Sequence, residues 1–279
     1  MTAKVAFVLG GGGVLGAVQV GMLRAVLERG IRPDLVVGTS IGAINGAIIA
    51  ADVDRSIERL DRAWTSKDAR VLTTGLGVRP GRAHVMSPGP LLRLLEGALP
   101  HVRTFAELEV EFRCCAASIE RAAEHWFTEG PLIPAVLASA ALPGVFPAVR
   151  IGDEHFVDGG IVNSIPVSEA ATAGATEIYV MQVGRIEYPL SAPRNQFDNA
   201  RVAFEISRRH RFARDTAALP AGTRLHVLPT GTTSERDNRI VRNLSPAAVR
   251  RRIESAHRAA SDHLDRDVAS AGAIGEASG

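Results

Sequence analysis

Short apolar runs alternate with stretches in which apolar positions recur at helical spacing. Lys4 to Leu9, with Val5, Phe7 and Val8, is such a run, and four glycines, Gly10 to Gly13, end it. That pattern predicts a buried strand. Ala17 to Glu28 follows as a helix with Val18, Met22, Ala25 and Val26 on its apolar face, and Gly30 stands where a helix ends. Asp34 to Val37 predicts a second strand, and Ile41 to Ala50 a helix of small residues able to pack closely on a sheet. Two strands joined by a helix predict a parallel, right-handed βαβ unit with helices on its faces.

Further along, Asp52 to Trp64 reads as a helix with Ile57, Leu60 and Trp64 inward. Periodicity fades from Ser66 to Gly89, where glycine and proline become frequent, and the expectation is a mobile loop or lid. Pro90 to Leu99 reads as a leucine-rich amphipathic helix. Strands are predicted at Phe112 to Ile119 and His125 to Phe127, and a hairpin at Ala148 to Val157 about Gly152-Asp153. Helices are predicted over Leu132 to Ala140, Pro166 to Ala173, Asn199 to Ala218 and Pro246 to about Asp267, with strands at Glu177 to Val183 and Leu225 to Leu228. Neither an internal repeat nor a linker interrupts this order. The expectation is one domain over residues 1–268 and a flexible tail over 269–279.

The 279 residues carry 46% hydrophobic and 22% charged positions, ordinary usage for a globular chain and wrong for a disordered or collagen-like one. Only Cys114 and Cys115 occur, and adjacent cysteines offer no framework of bridges, as expected of a reducing compartment. The net charge of +2 argues against a nucleic-acid partner. No run reaches 18 apolar residues, so no membrane span is predicted, and the glycines after Leu9 break what a signal peptide would keep helical.

Chemistry concentrates at the ends of the first two strands. Gly10-Gly11-Gly12-Gly13-Val14-Leu15-Gly16 lies between a strand and a helix, where backbone N–H groups and the helix start together favour an anion. Residues 11–16 also satisfy G-x-G-x-x-G, but Val36, Val37 and Gly38 stand where a dinucleotide site needs an acid. No Lys-Ser or Lys-Thr closes the glycines, so a Walker loop fails too. The second strand ends in Gly38-Thr39-Ser40-Ile41-Gly42, a G-x-S-x-G at a strand-to-helix junction. This nucleophile-elbow pattern lifts the Ser40 hydroxyl above the sheet and offers the Ile41 N–H beside it. The plainer role for Ser40 is a helix N-cap. A nucleophile needs a proton acceptor. None of the eight histidines has motif spacing, and the ordinary α/β-hydrolase nucleophile follows more strands than Ser40 does. Asp158, leaving a strand into Gly159-Gly160, is the better candidate base, although a structural turn would use the same residues.

Four ordered blocks now resemble the patatin-like phospholipase family. They are Val8-Leu9-Gly10-Gly11-Gly12-Gly13 with Gly16-Ala17, Val37-Gly38-Thr39-Ser40-Ile41-Gly42-Ala43, Ser139-Ala140-Ala141-Leu142-Pro143-Gly144-Val145-Phe146-Pro147, and Val157-Asp158-Gly159-Gly160-Ile161-Val162-Asn163. The resemblance implies a three-layer α/β/α fold with a mainly parallel central sheet. It also implies a lipid acyl hydrolase of phospholipase A or lysophospholipase type, without metal or other cofactor. By that likeness Ser40 is nucleophile, Asp158 is base, and Gly11, Gly12 and Gly13 form the oxyanion hole. Family members commonly carry Arg or Lys where this chain has Leu15. Leu91, Leu92, Leu94, Leu95, Val136, Leu137, Val145 and Phe146 are candidate walls for an acyl channel, or plain core. The partner expected is a lipid or acyl ester, in a cytoplasmic protein with transient contact at the inner membrane surface. Two alternatives stand beside this: a soluble ester or thioester hydrolase, and a non-catalytic lipid- or anion-binding protein.

Overall fold

The computed structural model describes residues 3–12, 15–69, 86–184, 186, 189–193, 195–231 and 245–276, of which 196, 197, 200 and 268–276 are described by backbone alone. An eight-stranded sheet forms the middle layer. Its centre is β1 (Val5–Leu9), flanked in parallel by β2 (Leu35–Thr39) and β7 (Glu177–Met181). Beyond them lie β3 (Glu111–Ser118) and β8 (Arg224–Val227), again parallel. The antiparallel strands β4 (Ala123–Phe127), β5 (Val149–Ile151) and β6 (Glu154–Asp158) complete the far side through β3.

Residue alternation divides β1 between two cores. Phe7 and Leu9 join one apolar cluster, and Ala6 and Val8 join the other across the sheet. The larger cluster holds α1 (Val18–Leu27), α2 (Ile41–Ala51), α3 (Ser56–Thr65), α4 (Gly89–Ala98), α5 (Leu132–Ser139) and α8 (Pro246–Glu276). The smaller is closed by α6 (Val167–Thr172) and by Phe212 of α7 (Gln196–Ala217). With helices on both faces, β2 is buried throughout and β1 from Ala6 onward, which is why they read as continuous apolar runs. The three-layer α/β/α expectation holds.

One register places the site. β2 pairs with β3 from Leu35–Glu111 up to Thr39–Cys115. On β3's other edge lies β4, opposite Cys114 to Ser118. A strand has only two edges, so β6, which pairs with Ala116 to Ser118, must continue the edge that β2 leaves. Thus β2 rises to Thr39 opposite Cys115, and β6 descends to Asp158 opposite Ala116, on the adjacent rung. Two strand ends far apart in the chain meet head to head.

Several boundaries differ from the sequence reading for local reasons. α3 begins at Ser56, because the Asp52 carboxylate accepts the Arg55 N–H at 3.0 Å and makes a turn instead. α7 begins earlier than Asn199, since Asn195 caps it by accepting the Asp198 N–H at 3.0 Å. α8 continues past Asp267 to Glu276. Of the expected 66–89 loop, residues 70–85 lie outside the described residues. Leu91, Leu95 and Val136 are core, whereas Leu92, Leu94, Leu137, Val145 and Phe146 are half-buried. No helix among the described residues is long and apolar enough to cross a membrane.

Candidate active site

Ser40 sits between β2 and α2 with φ 58° and ψ −123°, a conformation that L-residues rarely adopt and that costs about 1–3 kcal/mol. The flanking glycines permit it by close approach. A Cβ on Gly38 would lie 2.4 Å from the Gly42 oxygen, and one on Gly42 would lie 2.0 Å from the Leu9 oxygen. Neighbouring segments hold the elbow in place. The Ser40 N–H donates to Ser139 Oγ at 3.0 Å, and Ser139 Oγ donates to the Cys115 carbonyl at 2.5 Å. Thr39 Oγ1 donates to the Asn163 carbonyl at 2.8 Å. Ser139 opens the third of the four sequence blocks, but a serine ending an alanine-rich helix has no local signature that reveals this role.

Asp158 is only 2% exposed. Its Oδ2 accepts a 2.5 Å hydrogen bond from Ser40 Oγ, and its Oδ1 accepts the Gly160 N–H at 2.7 Å. Its own N–H donates to the Ala141 carbonyl at 3.0 Å. Gly159 is obligatory here: a Cβ would stand 2.2 Å from the Cys115 oxygen. Burial raises the Asp158 pKa from 3.8 to about 6, overriding the bonds from Ser40 and Gly160, which pull it down. No described histidine bonds to Ser40 or Asp158. His125, on β4 across β3, instead packs edge-on against Phe127 and at a tilt against Phe156, and contacts Arg121.

The glycine loop passes directly beside the serine. A Cβ on Gly11 would lie 3.3 Å from Ser40 Cβ. The Gly10 N–H donates to the Met181 carbonyl at 3.1 Å and the Gly11 N–H to the Ser164 carbonyl at 2.8 Å. Gly11 is therefore an anchor whose donor is already used. Gly12 has no room for a side chain, since a Cβ would overlap Val183 at 2.3 Å. Gly13 lies outside the described residues. Leu15 packs half-buried against the larger core, so that end of the loop is seated by apolar contact. Ser40, Asp158, Gly11, Gly12, Gly38, Ile41 and Gly42 thus come together at one end of the sheet.

A strained serine on a strand-to-helix turn, bonded to a buried carboxylate and flanked by a glycine loop, defines an α/β protein with a serine–carboxylate site. Residues 7–171 match the family described as patatin-like phospholipase, and the chain belongs to that family. It is 30% identical over 198 residues to a protein named lysophospholipase nte1 from Aspergillus terreus, covering 66% of this chain and 12% of that protein. It is 32% identical over 183 residues to patatin-like phospholipase domain-containing protein 7 of Rattus norvegicus, covering 64% and 14%. The chain thus spans about an eighth of the length of these curated relatives. Among solved structures it resembles VipD from Legionella pneumophila, with a TM-score of 0.51 at 16% identity, over 95% of this chain and 67% of that one. That likeness concerns the fold alone.

Proposed function

We propose that this chain is a lipid acyl hydrolase that cleaves carboxylic esters of phospholipase A or lysophospholipase type. Ser40 is its nucleophile and Asp158 its base. The observation that carries the reading is the 2.5 Å bond from Ser40 Oγ to a buried carboxylate with no cation among its hydrogen-bond partners in the described residues. Family membership supports the lipid substrate.

Ser40 Oγ attacks the ester carbonyl carbon while Asp158 Oδ2 takes its proton. The carbonyl π electrons move to oxygen, and the oxyanion is received by the N–H groups of Gly12 and Ile41, with Gly11 anchoring the loop. Neither of these N–H groups donates to a backbone carbonyl among the described residues. Asp158 becomes neutral as the oxyanion forms, so one negative charge migrates and no new ion pair is created. A cation beside Asp158 would hold the charge on the carboxylate and oppose that transfer. Collapse breaks the ester C–O bond, and the leaving alcohol takes the proton from Asp158. Water then attacks the acyl–Ser40 ester, Asp158 accepts its proton, and release of the fatty acid returns that proton to Ser40 Oγ.

Leu142 and Ile161 support an acyl-chain entrance. They are 39% and 43% exposed, and each lies next to a segment that holds Asp158. The same rim serves reversible contact with a lipid surface from the cytoplasmic side. The decisive test is labelling by a fluorophosphonate together with turnover of phospholipid vesicles and short p-nitrophenyl esters. Label on Ser40, and loss of both label and turnover in Ser40→Ala, are expected. Full turnover by folded Ser40→Ala rejects the assignment. Hydrolysis of soluble esters alone rejects the lipid substrate.

A further inference from the structure

The loop that carries the candidate oxyanion donors is clamped at both ends by one buried chain of amides. At its start, Gln19 Nε2 donates to the Gly10 carbonyl at 2.8 Å and, with its second proton, to the Met181 carbonyl at 2.8 Å. At its end, Asn45 Nδ2 donates to the Gly16 carbonyl at 3.1 Å and to Gln19 Oε1 at 2.7 Å. Asn45 Oδ1 accepts from Trp64 Nε1 at 3.1 Å. Donation therefore runs one way, from Trp64 through Asn45 and Gln19 to Gly10 and Met181. Every amide proton is used, and each side-chain oxygen has its donor.

Gln19 and Asn45 are each 1% exposed within an otherwise apolar layer. Asn45 is the one polar residue in the all-buried stretch Gly42 to Ala50 of α2. An apolar residue of the same shape would pack there without any demand for partners. What the amides add is direction, because a saturated network has one arrangement and leaving any member unpaired is costly. The Trp64 ring presses on the same loop end: a Cβ on Gly16 would stand 2.8 Å from Cζ2 and 2.4 Å from the Ile41 side chain. Gly10 and Gly16 are thus fixed relative to β7, α2 and α3, and Gly11, next to the first of them, lies beside Ser40. Oxyanion donors act only within a few tenths of an ångström of the developing charge.

We infer that Gln19 and Asn45, oriented by Trp64, are positioning residues that set the glycine-loop donors for the transition state. This rests on the Ser40–Asp158 reading above. The test uses Gln19→Met, Asn45→Leu, their double variant and Trp64→Phe, with active sites counted by fluorophosphonate labelling of Ser40. We expect kcat per labelled site to fall about tenfold to a hundredfold in Gln19→Met and Asn45→Leu, with KM within about threefold of wild type. Inhibition by a trifluoromethyl ketone, whose hemiketal oxyanion mimics the transition state, should weaken by the same factor. The double variant should lose no more than the worse single, because the amides act as a unit. Trp64→Phe removes the first donor together with the ring edge beside Gly16, leaves both amides in place, and should show the same signature at a smaller, severalfold size. It also keeps the test alive should the amide variants fail to fold. Fewer labelled sites with kcat per site and ketone affinity unchanged would mean a merely structural role and overturn the inference. Absence of label on wild-type Ser40 would instead overturn the dyad, a separate result.

Discussion

Ser139 accepts the backbone N–H of Ser40 and donates its own proton to the carbonyl of Cys115, linking the elbow to the rung below Asp158. One hydroxyl thus ties the two halves of the candidate dyad to the same point on β3. In Ser139→Ala the part-buried Ser40 N–H and the buried Cys115 carbonyl both lose this partner, at a cost of about 1–3 kcal/mol. Urea unfolding should show that loss. Ester turnover should drop about tenfold as Ser40 relaxes toward ordinary backbone angles. Unchanged turnover would show that the elbow holds itself.

Steric demand at the glycines gives a second prediction. Gly42→Ala drives a Cβ into the Leu9 backbone, and Gly159→Ala drives one into that of Cys115. Each should destabilise by about 3 kcal/mol or more, as overpacking against backbone cannot relax by a rotamer change. Gly97→Ala, in α4 with open space around it, should instead stabilise by up to about 1 kcal/mol. Chemical denaturation of the three variants reads this contrast directly.

The Asp158 pKa near 6 makes two pH-dependent predictions. As the base, Asp158 must be ionised, so kcat/KM for a neutral ester should fall as pH drops through about 6. For stability the sign is the reverse of the usual carboxylate case. Between 3.8 and about 6 the folded state holds this proton more tightly than the unfolded chain does. Its contribution therefore favours folding below the lower value and is lost as pH rises through the upper one. That loss is about 3 kcal/mol at 1.4 kcal/mol per pH unit. Asp158→Asn should accordingly abolish turnover while becoming more stable than wild type at pH 8, with the advantage shrinking toward pH 4. Thermal melts of both proteins across that range provide the measurement, and a constant difference would contradict the assignment of the burial cost to Asp158.

Leu142 and Ile161 yield a fourth. Replacing each with Asp puts a charge on the apolar rim. Hydrolysis of phospholipid vesicles should fall about tenfold more than that of a short soluble ester, and vesicle co-sedimentation should weaken. Equal losses on both substrates would remove the rim from lipid recognition.

Much of this molecule follows from local sequence. β1, α1, β2 and α2 are legible because short apolar runs, helical spacing and glycine ends act within a few residues of one another. The same locality makes Gly38-Thr39-Ser40-Ile41-Gly42 readable as an elbow and Asp158-Gly159-Gly160 as a turn. Their meeting is different. It depends on β3 being long enough to pair with β2 along its first part and β6 along its second, two registers that together bring Ser40 to Asp158, 118 positions away. Ser139, 99 positions from Ser40, and Gln19, 162 positions from Met181, carry their roles only through such contacts. Gly11 shows the same limit: its glycine character is plain in the sequence, but the Ser164 carbonyl that occupies its N–H comes from a segment remote in the chain. Propensity and pattern are properties of neighbours along the chain. A hydrogen bond's partner is settled by which strand ends the sheet brings together.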